Sequence, residues 1–413
     1  MILLNIDHEN KFDNTTIFKA PDGRSYLVPF ILVTSLFLLW GFAHGLLDVL
    51  NKHFQLAFTM TKAESGLVQF STYIAYFLMA IPAGIFMKKY GYKKGIILGL
   101  LLFATGAFSF IPAALMHSST PFLIALFIIA CGLCILETAA NPYSTVLGPK
   151  ESAAQRINLS QSFNGLGWIL GPLVGGALIF GTPEGDSSAL TKPYILVGSI
   201  VLVIGILFFF TKLPEIKEDD ERTPVTENIP DKSVWKHRHF VLAVIAQFAY
   251  CAAQTGIFSF FINYVTEQDP SIDPEKASRF LAFGGMTLFM VGRLSGSMLM
   301  KWTTPNKLLV LFSLISSICM LLVILALGRI SLYALYTTFF FMSIMFPTIF
   351  ALGLEGMGVY TKKASSYIVM GVAGGAFSPM LMGYIGEENM ALGFIVPLIA
   401  FLYILYFAIK CNR

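Results

Sequence analysis

Apolar stretches about twenty residues long follow one another along the chain, at approximately 27-51, 65-87, 95-116, 121-145, 158-181, 193-211, 239-265, 277-300, 307-328, 331-353, 363-385 and 391-409. A helix rising ~1.5 Å per residue needs about 20 such residues to cross ~30 Å of hydrocarbon, so each run predicts one spanning helix. The alternating ten-residue segments of a transmembrane β-barrel are absent from the pattern. The first run follows a polar segment, 1-26, and is longer than a signal peptide's apolar core, which predicts a retained helix.

The polar positions divide the runs six and six. Between the sixth and seventh lies the longest polar stretch, "KLPEIKEDDERTPVTENIPDKSVWKHRH", whose prolines and mixed charge read as a solvated linker. The expected organisation is an N-terminal segment 1-26, a six-helix bundle 27-211, a linker 212-238 and a second bundle 239-410. Punctuation repeats between the halves. Run four ends "NPYSTVLG" and run ten carries "FPTIFALG"; Pro172 in "LGWILGPLVGG" then answers Pro379 in "VAGGAFSPMLMG". Such weak repeats suit a transporter of two parallel six-helix halves with a site between them near the midplane. The predicted fold class is an all-α integral membrane protein with twelve transmembrane helices in two pseudo-symmetric bundles.

Composition agrees: 56% of residues are hydrophobic and 13% charged, far from an ordinary soluble surface. Most Lys and Arg fall on the side that holds both termini and the linker, while the other side has Lys52, Lys62, Lys192, Lys276, Arg279 and Arg329. The positive-inside rule then predicts cytoplasmic termini, and the net charge of +4 reflects topology rather than a nucleic-acid partner. Cys131, Cys134, Cys251 and Cys319 sit within apolar runs, so no disulfide framework is expected. The spacing of Cys131 and Cys134 lacks the further ligands or the redox turn that a C-x-x-C site needs. Walker A, G-x-S-x-G and H-E-x-x-H sequences are missing, which argues against an ATP-driven pump, a serine hydrolase or a zinc protease.

Against this apolar background Glu137 stands out, in "FIIACGLCILETAANP". A charge on a spanning helix costs about 2.5–3.5 kcal/mol even on lenient scales, so it is kept with a partner, a proton or a water-filled cavity. Glu137 lies ~24 Å along its helix from the outer start, in the cytoplasmic half of the membrane. The repeat places Met342 opposite it, so the acid belongs to one half only. In the first run Trp40, His44 and Asp48 recur every four residues and share a face. Asp48 is read either as a second functional acid or as an interfacial one, and His44 as a packing residue or a proton relay. In the fifth run Asn158, Gln161, Asn164 and Trp168 form a stripe, and in the seventh Gln247, Tyr250, Gln254 and Phe258 form another. Amides beside an aromatic plate suit sugar hydroxyls and the apolar face of a pyranose, although interhelical hydrogen bonding uses the same residues. Asn141 and Tyr367 complete the candidate contacts. The basic stretches "GIFMKKYGYKKG" and "GRLSGSMLMKW" echo each other as possible cytoplasmic latches, which topology alone also explains.

The segments "LLWGFAHGLLDVLNKHFQLAF", "LETAANPYSTVLGP", "INLSQSFNGLGWILGP" and "FMSIMFPTIFALGLEGMG" resemble the major facilitator superfamily and, within it, the fucose-galactose-glucose:proton symporter family, the L-fucose permeases above all. The resemblance implies proton-coupled monosaccharide import, with Asp48 and Glu137 as the coupling acids and Asn164, beside Gln161, at the sugar. It also implies action as a monomer in a bacterial inner membrane, driven by the proton gradient without a cofactor. One departure is "GLLD", Gly45 to Asp48, where many relatives have "NLND", and this leaves the sugar open. A carrier of another polar solute, or a sensor that kept the scaffold, would read similarly. The short termini argue against the sensor, and no nucleophile and base can be placed together for an enzyme.

Overall fold

A computed structural model describes residues 25–116, 118–148, 153–180, 187–211, 213, 231–300, 302–355, 357 and 361–411. The polar segment 1-26 lies outside the described residues except for its last two positions, and most of the linker 212-238 lies outside them too. In chain order the spanning helices are α1 (Leu27–Phe58), α2 (Leu67–Tyr90), α3 (Tyr92–Phe108, continued by Phe110–Leu115), α4 (Ser119–Val146), α5 (Ala153–Ile179) and α6 (Thr191–Phe210). The second half has α7 (Arg238–Gln268), α8 (Pro274–Phe280 and Thr287–Leu299), α9 (Pro305–Ile324), α10 (Arg329–Met342 and Met345–Leu354), α11 (Thr361–Met370 and Gly374–Ile385) and α12 (Met390–Gly393 and Ile395–Cys411). Among the described residues eleven helical stretches are long and apolar enough to cross a membrane. The twelfth, α8, is interrupted by a π turn at Leu281–Met286. A widened turn of this kind marks an extra residue accommodated inside a helix.

The two halves share most of a packing scheme, the second adding an extensive contact of α7 with α12 where α1 barely touches α6. In the first, α1 lies on α5, α3 on α4 and α6, and α2 on α4. In the second, α7 lies on α11, α9 on α10 and α12, and α8 on α10. The repeated glycines have a physical reason in these pairs. A Cβ on Gly171 of α5 would stand 2.7 Å from the backbone of Gly45 in α1, and one on Gly374 of α11 would stand 2.1 Å from the Phe248 carbonyl oxygen of α7. Only bare backbone allows helices so near, and without a hydrophobic force between them in lipid, close contact is what binds them.

The halves meet through α2 with α11, α5 with α8 and α1 with α7. The hydrogen bonds and ion pairs joining them among the described residues lie toward the lysine-poor ends. There the Asn263 amide donates to Gln55 Oε1 at 2.6 Å, Ser278 donates to the Pro172 carbonyl, and Lys62 binds Glu267 and the Gly386–Glu387 turn. At the other face, α4 packs on α1, α2, α3 and α5, and α10 on α7, α8, α9 and α11, each within its own half. The chain is closed across its lysine-poor face.

Candidate functional site

The site grows from the polar stripe of α1. Because Trp40, His44 and Asp48 are one turn apart, all three face the crevice between α2 and α5. Asp48 is 4% exposed, and its Oδ2 has no hydrogen-bond partner. His44 stacks on Trp168 of α5 with ring centroids 5.5 Å apart, and Trp40 meets the same indole edge-on at 6.4 Å. Two tyrosines of α2 complete the cluster. Trp40 Nε1 donates to the Tyr76 hydroxyl at 2.6 Å, and His44 Nε2 lies 3.2 Å from that oxygen. Tyr73 lies 6.1 Å from the His44 ring and within electrostatic range of both Asp48 and Glu137.

Glu137 is half-buried on α4. Its carboxylate interacts with the Trp40 indole and with the Tyr76 hydroxyl, so the two acids sit on either side of one aromatic cluster. Cys134, one turn earlier, donates its thiol to the Tyr76 carbonyl at 3.8 Å, which orients this stretch of α4 against α2. Further along, Gln161 donates to Asn141 Oδ1 at 3.4 Å, pairing the amides of α5 and α4. Asn164 is 2% exposed and donates to the Phe37 carbonyl at 3.2 Å. It ties α5 to α1 instead of standing free in the crevice. The Asn158 side chain lies outside the described residues.

The second half contributes a more apolar wall. Phe258 reaches across to Trp168 at 5.6 Å and stacks on Phe339 at 5.0 Å. Gln247 and Tyr250 are fully buried, and neither the Gln247 amide nor the Tyr250 hydroxyl has a hydrogen-bond partner, while Gln254 is half-buried. Tyr367 lies apart from this wall. Its ring packs 5.0 Å from Trp235, in a satellite cluster with Phe240 and Ile368, so it is not brought to the crevice in this conformation.

Sequence reasoning missed Tyr73, Tyr76 and Arg293. The tyrosines continue a stripe from Ser65 and Gln69 by steps of four, four and three, the same signal that found the α5 stripe. In the sequence Arg293 is only one of the basic residues of "GRLSGSMLMKW". It lies with its guanidinium 4.9 Å from the Phe289 ring, its Nε donating to the Ser343 carbonyl at 3.4 Å, and it interacts with Tyr250. The departure at "GLLD" also changes meaning. Gly45 faces Pro172 and Gly171 of α5, and Leu47 is buried against α3 and α4, so neither position opens on the crevice.

Residues 27–379 match the Major Facilitator Superfamily, and the chain belongs to it. The L-fucose-proton symporter of Escherichia coli (strain K12) is 39% identical, with 94% of each chain covered. A glucose/galactose transporter of Brucella abortus biovar 1 (strain 9-941) is 34% identical, again covering 94% of each. Among solved structures, the transporter FucP in its outward conformation superposes with a TM-score of 0.68 at 38% identity, covering 94% of this chain and all of that one. The chain is thus a multi-pass membrane transporter and not an enzyme.

Proposed function

We propose that the chain imports a monosaccharide together with protons by alternating access, with L-fucose the foremost substrate and glucose or galactose the alternative. The observation that carries this reading is Asp48, a carboxylate sealed in a helix bundle with one oxygen unpartnered. A bare charge cannot stay unpaired there without large cost, and a proton removes that cost. The family supports the rest: relatives named as L-fucose-proton and glucose/galactose carriers align along nearly the whole chain.

In this reading Asp48 takes a proton from outside, and Glu137, at the other side of the aromatic cluster, couples protonation to sugar binding and release. Trp168 and Phe258 supply apolar plates for a pyranose ring, while Gln161, Asn141, Trp40 and His44 supply hydrogen-bonding groups. Neutralising both acids lets the loaded carrier reorient without dragging charge through hydrocarbon. The lysine-poor face is then the outside, both termini are cytoplasmic, and closure there corresponds to an inward-facing state. The carrier acts as a monomer in the inner membrane, against lipid, with the proton gradient as its energy source and with no cofactor or nucleic acid.

The test is external pH in a lightly buffered suspension of de-energised cells, after separate additions of L-fucose, D-galactose and D-glucose. Alkalinisation with one of them, lost in Glu137→Gln, names both the mechanism and the sugar. Silence with all three, from protein located in the membrane, overturns the assignment and points to another polar solute.

A further inference from the structure

The lysine-poor seam carries a chain of amides that all donate in one direction. Asn263 of α7 donates to Gln55 Oε1 at 2.6 Å, Gln55 donates to Asn51 Oδ1 at 2.9 Å, and Asn51 donates to Gln69 Oε1 of α2 at 3.2 Å. Asn263, Asn51 and Gln69 are fully buried, as is Ser65 in the short turn Lys62–Ser65 beside them. The direction has its cause in the first half alone. Asn51 Nδ2 also faces the Ser65 carbonyl at 3.3 Å, a group that can only accept, so Oδ1 is the end turned toward Gln55. The Ser65 hydroxyl has the Lys62 carbonyl at 2.7 Å and Asn51 Oδ1 at 3.1 Å as acceptors, so it meets Gln55 with a lone pair. Gln55 Nε2 is therefore faced by two acceptors at 2.9 Å, Asn51 Oδ1 and Ser65 Oγ, and both of its hydrogens are used. The return contact to Asn263 Oδ1 is 3.5 Å, at the limit of a hydrogen bond. Across the seam Gln55 presents an acceptor, and Asn263 answers as the donor.

We propose that Asn51 is a positioning residue for closure of the outer path, acting across the seam through Gln55. Its own hydrogen bonds among the described residues all stay within the first half. What it does for the second half is to hold the Gln55 amide with its carbonyl aimed at Asn263. In a buried seam a mis-set amide is costly, because its groups are left unpaired with no water to take them. With Asn51 in place the Gln55 side chain is ordered before the halves meet, so the bond to Asn263 forms without further loss of freedom. Without it, closure has to order that side chain as well, and the closed form loses ground. Gln55 and Asn263 are thus the pair that shuts the path behind the sugar, and Asn51 sets the pair. That this seam opens and closes in the working cycle rests on the reading of the chain as an alternating-access carrier.

The Lys62 and Ala63 backbone N–H groups report on the seam directly. They begin a short helical turn, where no intrahelical carbonyl takes them, and they donate to the Glu387 carboxylate of the second half at 3.2 Å and 3.3 Å. Hydrogen exchange at these amides, followed by mass spectrometry on full-length protein in lipid nanodiscs, rises with the population open at this face. Asn263→Leu removes the donor at similar volume and should speed the exchange about fivefold. Asn51→Leu should speed it about fivefold in the parent protein, but by less than about twofold in the Asn263→Leu background. Asn51 also contacts the reporting turn through Ser65, and a merely structural loosening of that turn acts equally in both backgrounds. Equal speeding in the two backgrounds, no effect of Asn51→Leu in either, or no effect of Asn263→Leu overturns the proposal. If Asn51→Leu does not fold, Asn51→Ala, which adds no bulk, takes its place under the same criterion. No sugar is needed for the measurement. A sugar-silent protein with a non-additive cycle removes the substrate reading and keeps the positioning role, whereas normal symport with additive effects removes the positioning role alone.

Discussion

Lys62 Nζ and the Glu267 carboxylate stand 2.7 Å apart across the seam between the two halves. The same ammonium donates to the carbonyls of Gly386 at 2.7 Å and Glu387 at 2.8 Å, so all three of its hydrogens are used. The Glu387 side chain returns the contact, accepting from the Lys62 backbone N–H at 3.2 Å and from that of Ala63 at 3.3 Å. Lys62 can do this because Thr61 and Glu64 form a reciprocal capping box that fixes the short turn carrying it. The contact is partly exposed, so it is worth only about 1 kcal/mol, yet that is a several-fold change in a balance between two conformations. Lys62→Met should therefore raise the population open at this face. Spin labels at Thr59 and Ser271, on opposite halves, should show a longer-distance component in the variant. An unchanged distance distribution removes Lys62 from the closure.

The two acids predict a shared failure of coupling. Glu137→Gln holds the site in the form a proton would give it, so sugar exchange down a gradient should persist while the accumulation ratio falls to about 1, because no proton energy is captured. Asp48→Asn, at the buried end of the stripe, should lose accumulation as well. Counterflow of labelled sugar in proteoliposomes, measured beside uphill uptake, separates the two activities. Normal accumulation by Glu137→Gln would sink its role in coupling.

The amide pair of α4 and α5 gives a smaller effect. Gln161 and Asn141 already satisfy each other at 3.4 Å, a long bond that a sugar hydroxyl could replace. A neutral hydrogen bond contributes roughly 0.5–1.5 kcal/mol net, so Gln161→Ala should raise the apparent KM about 2- to 12-fold with the maximal rate little changed. A lower rate at unchanged KM would mean that the pair serves the conformational step.

Why some of this was legible in the sequence and some was not follows from what a spanning helix hides. Length and apolarity alone located every helix, and even α8 was found, since a π turn leaves the hydrophobic pattern intact. The first run was cut at residue 51, whereas α1 continues to Phe58, because "KHFQLAF" keeps helical hydrogen bonding beyond the apolar core. Glu137 was legible because a carboxylate in an apolar run has no structural excuse. Tyr76 was not, since an aromatic residue looks like lipid-facing bulk until α1 packs beside it and supplies Trp40 and His44. Asn164 shows the converse: its stripe left a ligand contact and an interhelical hydrogen bond both open, and α5 lies so close to α1 that its amide reaches the Phe37 carbonyl. Tyr367 depended on where Asp231–Lys236 folds back, a tertiary fact that no spacing announces.

The closeness of α1 and α5 makes the last prediction, and it tests the repeat itself. At Gly171 an added Cβ meets the Cα and carbonyl carbon of Gly45 and the amide nitrogen of Leu46, all at 2.7 Å. These are backbone atoms with no rotamer to escape into, so the helices must separate along their length. Overpacking of this kind costs typically 1–3 kcal/mol, and Gly171→Ala should lower the melting temperature of the detergent-solubilised protein by several degrees. Gly84, on α2, has nothing within 4 Å of the same built atom. There the change to alanine removes only backbone freedom, so Gly84→Ala should be neutral or stabilising by roughly 0.5–1 kcal/mol. If the two variants melt alike, the glycines of α5 are present for some reason other than contact with α1, and the matching glycines of α11 lose their explanation with them.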